Sequence, residues 1–169
     1  MEAEQKSKSD NYIQLQKDDI LRLGIRDSEG NDTGKYLEFD LADIELPLKY
    51  QEIIEEDKKN RLDIKNKLAI IDKKQDHKGK KLMSANEEAK IRAMIEFFKR
   101  EVEIYDMFLG KGGVDKLLNG RRLSWTTLEE IDDIISNTIL PKLEVNGEAI
   151  KKKIMSKYSN VQKEVDVIE

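Results

Sequence analysis

Apolar and polar residues alternate along Leu21-Arg22-Leu23-Gly24-Ile25-Arg26, and again along Lys35-Tyr36-Leu37-Glu38-Phe39-Asp40-Leu41. Between them, Asp27-Ser28-Glu29-Gly30-Asn31-Asp32-Thr33-Gly34 is dense in turn-forming residues. Two alternating runs around such a turn predict a β-hairpin over about 20–40. A two-stranded hairpin is marginal alone, so its face of Leu21, Leu23, Ile25, Leu37 and Phe39 needs a helix to pack on.

The pattern then changes period. From Leu46 to Ile71 it predicts a helix, with Pro47 tolerable near the first turn. Tyr50, Ile53 and Ile54 form one apolar patch, and Leu62, Ile64, Leu68 and Ile71 a second. Glu55 to Arg61 holds no apolar residue, so the helix should bend, break or cross open solvent there. Residues 72–81 form a polar connector. Ser84 followed by Glu87 is a capping-box pattern. The helix after it places Ile91, Met94, Ile95, Phe98, Val102, Tyr105, Phe108 and Leu109 at spacings of three and four. Gly110 falls where a helix end favours glycine. Val114 to Leu118 allows one short helical turn, and Asn119-Gly120 a further turn.

Thr127 and Glu130 suggest a second capping box, opening a helix with Leu128, Ile131, Ile134, Ile135 and Thr138 on one face. Pro141 should end or kink that helix near Leu140. Ile150, Ile154, Tyr158, Val161 and Val165 follow one more helical face. The expected fold is mainly α, an N-terminal β-hairpin packed on a bundle of about four helices. Residues 1–11 read as a disordered tail, 12–157 as one domain and 158–169 as a fraying tail.

Composition narrows the function. The chain has 169 residues, of which 39% are charged and 38% hydrophobic, with a net charge of −4. So thin a core suits helices that bury one stripe and solvate the rest. The absence of cysteine excludes disulfides, thiolate nucleophiles and cysteine-based zinc sites. Residues 1–11 lack the apolar core of a signal peptide, and no apolar run reaches the ~20 residues of a membrane helix. A soluble, cytosolic protein is expected.

Candidate chemistry is sparse. Lys111-Gly112-Gly113-Val114-Asp115-Lys116 approaches a phosphate-binding loop. Such a loop needs a strand before it, glycine before the lysine and a hydroxyl after it. Here a helix leads in, Asp115 precedes the lysine and Leu117 follows it. A helix end and turn is the better reading. Asp27–Asp32 resembles a calcium loop only faintly, because its sixth position is Asp32 and no helix enters it. His77 sits in the connector without an evident partner. Residues 58–81 carry ten Lys/Arg and three acids. They lack the interleaved aromatics of a nucleic-acid surface, which makes nucleic acid an unlikely partner. No catalytic, cofactor or metal site is expected.

The central helix carries more apolar residues than one stripe requires, since Phe97, Ile104 and Met107 fall off the main face. A helix apolar on several sides is sandwiched or meets a partner. Phe97, Ile104, Met107, Phe108 and Trp125 are the candidate partner-binding residues, and the same surface can close a homo-oligomer.

One resemblance extends this. D-S-E-G-N-D-T-G-K-Y-L-E-F-D-L-A-D-I-E-L-P-L-K-Y and F-F-K-R-E-V-E-I-Y-D-M-F-L-G-K-G-G-V-D-K-L-L-N-G resemble the tail assembly chaperones of long-tailed bacteriophages and prophages of low-GC Gram-positive bacteria. In that family an aromatic-rich helix runs into a Phe-Gly-x-Gly turn and a K-L-F-G segment. Phe108-Leu109-Gly110-Lys111-Gly112 and Lys116-Leu117-Leu118-Asn119-Gly120 approximate both. Leu109 is interposed before Gly110, and Leu118 replaces the second aromatic. The resemblance covers roughly residues 18–157. It implies a non-enzymatic protein of the host bacterial cytoplasm that binds the tape-measure protein and helps recruit tail-tube subunits. The alternatives are a structural or adaptor component of phage morphogenesis, or a nucleic-acid-binding regulator using residues 58–81.

Overall fold

The computed structural model describes residues 19–148 and Lys152. The expected tails at 1–11 and 158–169, and the face running from Ile150 to Val165, lie outside the described residues. An antiparallel hairpin of β1 (Ile20–Arg26) and β2 (Asp32–Asp40) opens the described chain. Helices α1 (Leu46–Asp72), α2 (Ala85–Leu109), α3 (Gly113–Leu118) and α4 (Trp125–Ile134) follow. The architecture is the one the pattern predicts, a mainly helical fold with the hairpin packed against four helices.

The hairpin pairs Leu21 with Phe39 and Leu23 with Leu37, which puts its apolar residues on one face. A register irregularity between Gly24 and Arg26 keeps Ile25 buried on that face. The turn is shorter than the pattern suggests, because β2 already begins at Asp32. Asp27 closes it by accepting hydrogen bonds from the backbone N–H of Glu29 and Asn31 at 2.9 and 2.8 Å. A carboxylate used in this way makes a hairpin turn, not a cation loop. Leu37 and Phe39 pack beneath the hairpin, with the Phe39 ring 5.5 Å from that of Phe108.

Helix α1 runs unbroken for 27 residues. The expected interruption over Glu55–Arg61 is absent, because the inward-facing residues of that stretch pair with polar groups on the facing helices. Antiparallel α2 opens with the capping box, Glu87 N–H to Ser84 Oγ at 3.1 Å and Ser84 N–H to Glu87 Oε2 at 2.6 Å. Its buried face is Ala93, Phe97, Glu101, Ile104 and Phe108, flanked by Tyr105 and Leu109. This corrects the expected stripe: Ile91 and Ile95 are about half exposed, whereas Phe97 and Ile104 lie at the centre.

Two helix ends also depart from expectation. Ser124, not Thr127, is the N-cap of α4, and Thr127 takes the third helical position in a Ser/Thr version of the capping box. Pro141 does not stop the helix. A π-helical turn at Ile135–Ile139 precedes it, in which Leu140 N–H reaches back five residues to Ile135 O. The carbonyl four residues before Pro141 belongs to Asn137, inside this wider turn. The turn accommodates the missing N–H and the ring, and the chain stays helical to residue 148.

Candidate partner-binding groove

Phe97, Ile104 and Phe108 are core residues, between 0% and 4% exposed. For Phe97 and Ile104 the expected availability as a partner surface is corrected by the packing: α1 covers one side of α2, and the hairpin, α3 and α4 close much of the rest. The surplus apolar surface marks a sandwiched helix. Met107 and Trp125 remain accessible, at 40% and 42%. They do not form one patch. Trp125 packs against Phe97, tilted to it, and edge-to-face with Phe98, with ring centroids 4.8 and 5.5 Å away. Met107 stands beside Glu52 and Glu55 of α1. Nine residues separate Phe98 from Met107, about half a turn around the helix.

The glycine cluster folds as a helix end. Gly110 ends α2 and Gly112 takes a left-handed conformation, φ 73°. The backbone amides that would cradle a phosphate face an anion from the chain itself. Asp106 accepts from Gly112 N–H at 2.8 Å and from Val114 N–H at 2.9 Å. Gly113 is required for close packing, since a Cβ there would lie 2.5 Å from that of Leu109. Asp115, which the sequence suggests as the obstacle to phosphate, is exposed. The decisive carboxylate lies nine residues earlier.

A buried polar layer, not anticipated from sequence, joins α1, α2 and α4. Glu101 is fully buried. Its Oε1 accepts from Asn60 Nδ2 at 2.6 Å, and its Oε2 has no partner among the described residues. Burial raises the Glu101 carboxyl to about 8; the Asn60 hydrogen bond opposes this and the neighbouring Asp57 carboxylate adds to it. Arg61 binds Asp57 at 2.6 Å and Asp132 at 3.0 Å. Burial works against its charge, but Asp57 and Tyr105 together outweigh it and raise the guanidinium's pKa. The Tyr105 hydroxyl donates to Asp132. Burial, and then that carboxylate, push the phenol up.

A buried carboxyl so displaced is a common mark of a reactive site. Glu101, however, does not line the adjoining 220 Å³ cavity. The carboxylates that do, Asp57 and Asp132, are engaged by Arg61 and Tyr105. The layer acts as a polar lock between helices.

The larger opening is different in kind. A groove of about 430 Å³ runs between the start of α1 and the helix that continues beyond the π turn. Leu46, Pro47 and Tyr50 form one wall, Leu140 and Leu143 the other, and Phe108 lies beneath them. Leu41 and Asp43 close one end, and Glu144, Gly147 and Glu148 edge the far lip. Of the five residues singled out in sequence, Phe108 alone lines it.

The basic segment 58–81 is partly neutralised. Lys59 pairs with Glu56, Arg61 with Asp57 and Asp132, and Lys67 with Asp63. Among the described residues, no group of three or more His, Asp or Glu could hold a metal ion, and no helix is long and apolar enough to cross a membrane. Comparison with protein-family models, curated proteins and solved structures finds no match to this chain.

Proposed function

We propose that this chain is a non-enzymatic tail assembly chaperone that holds a helix of a phage tape-measure protein in the groove between α1 and residues 140–148. The supporting observation is the groove itself: its two facing walls are apolar and Phe108 underlies them, within a highly charged protein. Helix-in-groove recognition requires this arrangement, because it hides a partner's apolar stripe while leaving the complex soluble. The resemblance of the hairpin and of the glycine-turned helix to tail assembly chaperones supplies the class of partner. Recruitment of tail-tube subunits in the bacterial cytoplasm belongs to the same reading.

Co-expression with the tape-measure protein of the same phage or prophage tests it. The expected result is a soluble tape-measure protein that co-purifies with this chain, and reduced recovery with Leu143→Asp. A tape-measure protein that stays insoluble and does not co-purify overturns the proposal.

A further inference from the structure

The charges around the groove narrow what it can hold. Among the described residues, every charged side chain lining it is a carboxylate, but the two sides are unequal. Asp43 is fully engaged, its Oδ2 by Lys49 Nζ at 2.6 Å and its Oδ1 by the backbone N–H of Glu45 at 2.9 Å. Glu144 and Glu148, on the opposite lip, are exposed and stand four residues apart in one helix. Like charges at that spacing repel each other and weaken the helix that carries them. A cation held between them would reverse the effect.

Gly147 lies on the same lip, within the helix, where glycine lowers stability relative to alanine. Its own fold does not require it: a Cβ there would meet nothing within 4 Å among the described residues. Glycine at such a position admits the close approach of another backbone.

We propose that the groove recognises a single amphipathic helix bearing lysine or arginine along one edge of its apolar stripe. This rests on the partner-binding reading above. The apolar anchors enter between Leu46 and Leu143, the basic edge lies along Glu144 and Glu148, and the partner's backbone passes closest at Gly147. The neutral Asp43–Lys49 side sets the orientation, because among the described lining residues the unneutralised carboxylates stand on the other lip.

Two fluorescein-labelled helical peptides with the same apolar stripe, one edged with lysine and the other with glutamate, test this by anisotropy on the full chain. The lysine-edged peptide should bind at least about tenfold tighter at low salt, and the preference should shrink as salt rises. Glu144→Lys combined with Glu148→Lys should reverse it. Gly147→Leu should weaken both peptides about tenfold or more without lowering helicity or melting temperature, since leucine is the better helix former. Equal binding of the two peptides, no binding of either, or an unaffected Gly147→Leu variant overturns the inference. If the tape-measure protein co-purifies equally with wild type and Gly147→Leu, the groove assignment fails and the chaperone reading stands. If the peptides behave as expected but the tape-measure protein stays insoluble, the inference holds and the chaperone reading fails.

Discussion

The interface between α1 and α2 has apolar ends and a polar middle. At its ends, Ile53, Ile64 and Ile71 of α1 and Ala93, Phe97, Ile104 and Phe108 of α2 belong to one apolar core, with Ile64 beside Ala93 and Phe97. In the middle, Asn60 and Asp57 meet Glu101, and Arg61 reaches Asp132 on α4. The ends gain free energy by removing area from water, in any register that keeps the faces together. The middle gains little net free energy, because buried polar groups must recover what desolvation costs them. It discriminates, however: a shift of α1 along α2 would strand Glu101 without Asn60. The apolar layers supply adhesion and the polar layer sets alignment.

The largest expected effect lies in the apolar ends. Ile64→Ala should destabilise by about 2–5 kcal/mol in denaturant unfolding, through lost transfer energy and a residual cavity. The loss should be the same at pH 5 and pH 8, since no titrating group takes part. A strongly pH-dependent loss would break the distinction between the two layers.

Glu101→Gln probes the middle. In the folded chain the Glu101 carboxyl titrates near 8, against an ordinary value of 4.5. Below about 4.5 both folded and unfolded chains hold the proton, and Glu101 contributes its full stability. As pH rises, the unfolded chain releases the proton first, so that stability is lost progressively through about pH 8. Glutamine keeps the oxygen that accepts from Asn60 and cannot ionise. The variant should therefore match wild type near pH 4.5 and exceed it at pH 8.5, by on the order of a few kcal/mol. Parallel stability curves across that range would show that Glu101 titrates normally.

The smallest effect belongs at the solvent edge of the same interface. Arg100 of α2 reaches Glu56 of α1 at 3.2 Å, with both side chains partly exposed. Arg100→Ala should cost about 0–1 kcal/mol, and less still at high salt. A larger loss would extend the polar lock to the surface.

The same contrast explains what could be read from the sequence. The hairpin, the Ser84–Glu87 cap, the length of α1 and the glycine stop of α2 follow from local spacing and turn chemistry, which act over a few residues. The true face of α2 did not follow, because Glu101 occupies its centre. Ala93, Phe97, Ile104 and Phe108 look discontinuous once a charge interrupts them, and the alternative stripe through Ile91 and Ile95 appears more regular. The polar gap in α1 has the same origin: Asn60 and Arg61 read as solvent residues because their partners, Glu101 and Asp132, lie 41 and 71 positions away. One signal joined the two anomalies, a polar break in each of two adjoining amphipathic helices. The groove was illegible for another reason. Its second wall depends on a π turn, and a 3.6-residue pattern contains no indication of that change of pitch.

Asp106 gives the glycine loop a property of its own. Its carboxylate bridges Gly112 and Val114 from a position fixed by the last turn of α2. An anion tethered in this way acts at an effective concentration set by geometry, on the order of millimolar or more. A dissolved phosphate must compete with it at every encounter. The loop therefore behaves as a receptor whose ligand is a covalent part of the molecule, closing in proportion to folding and independently of metabolite supply.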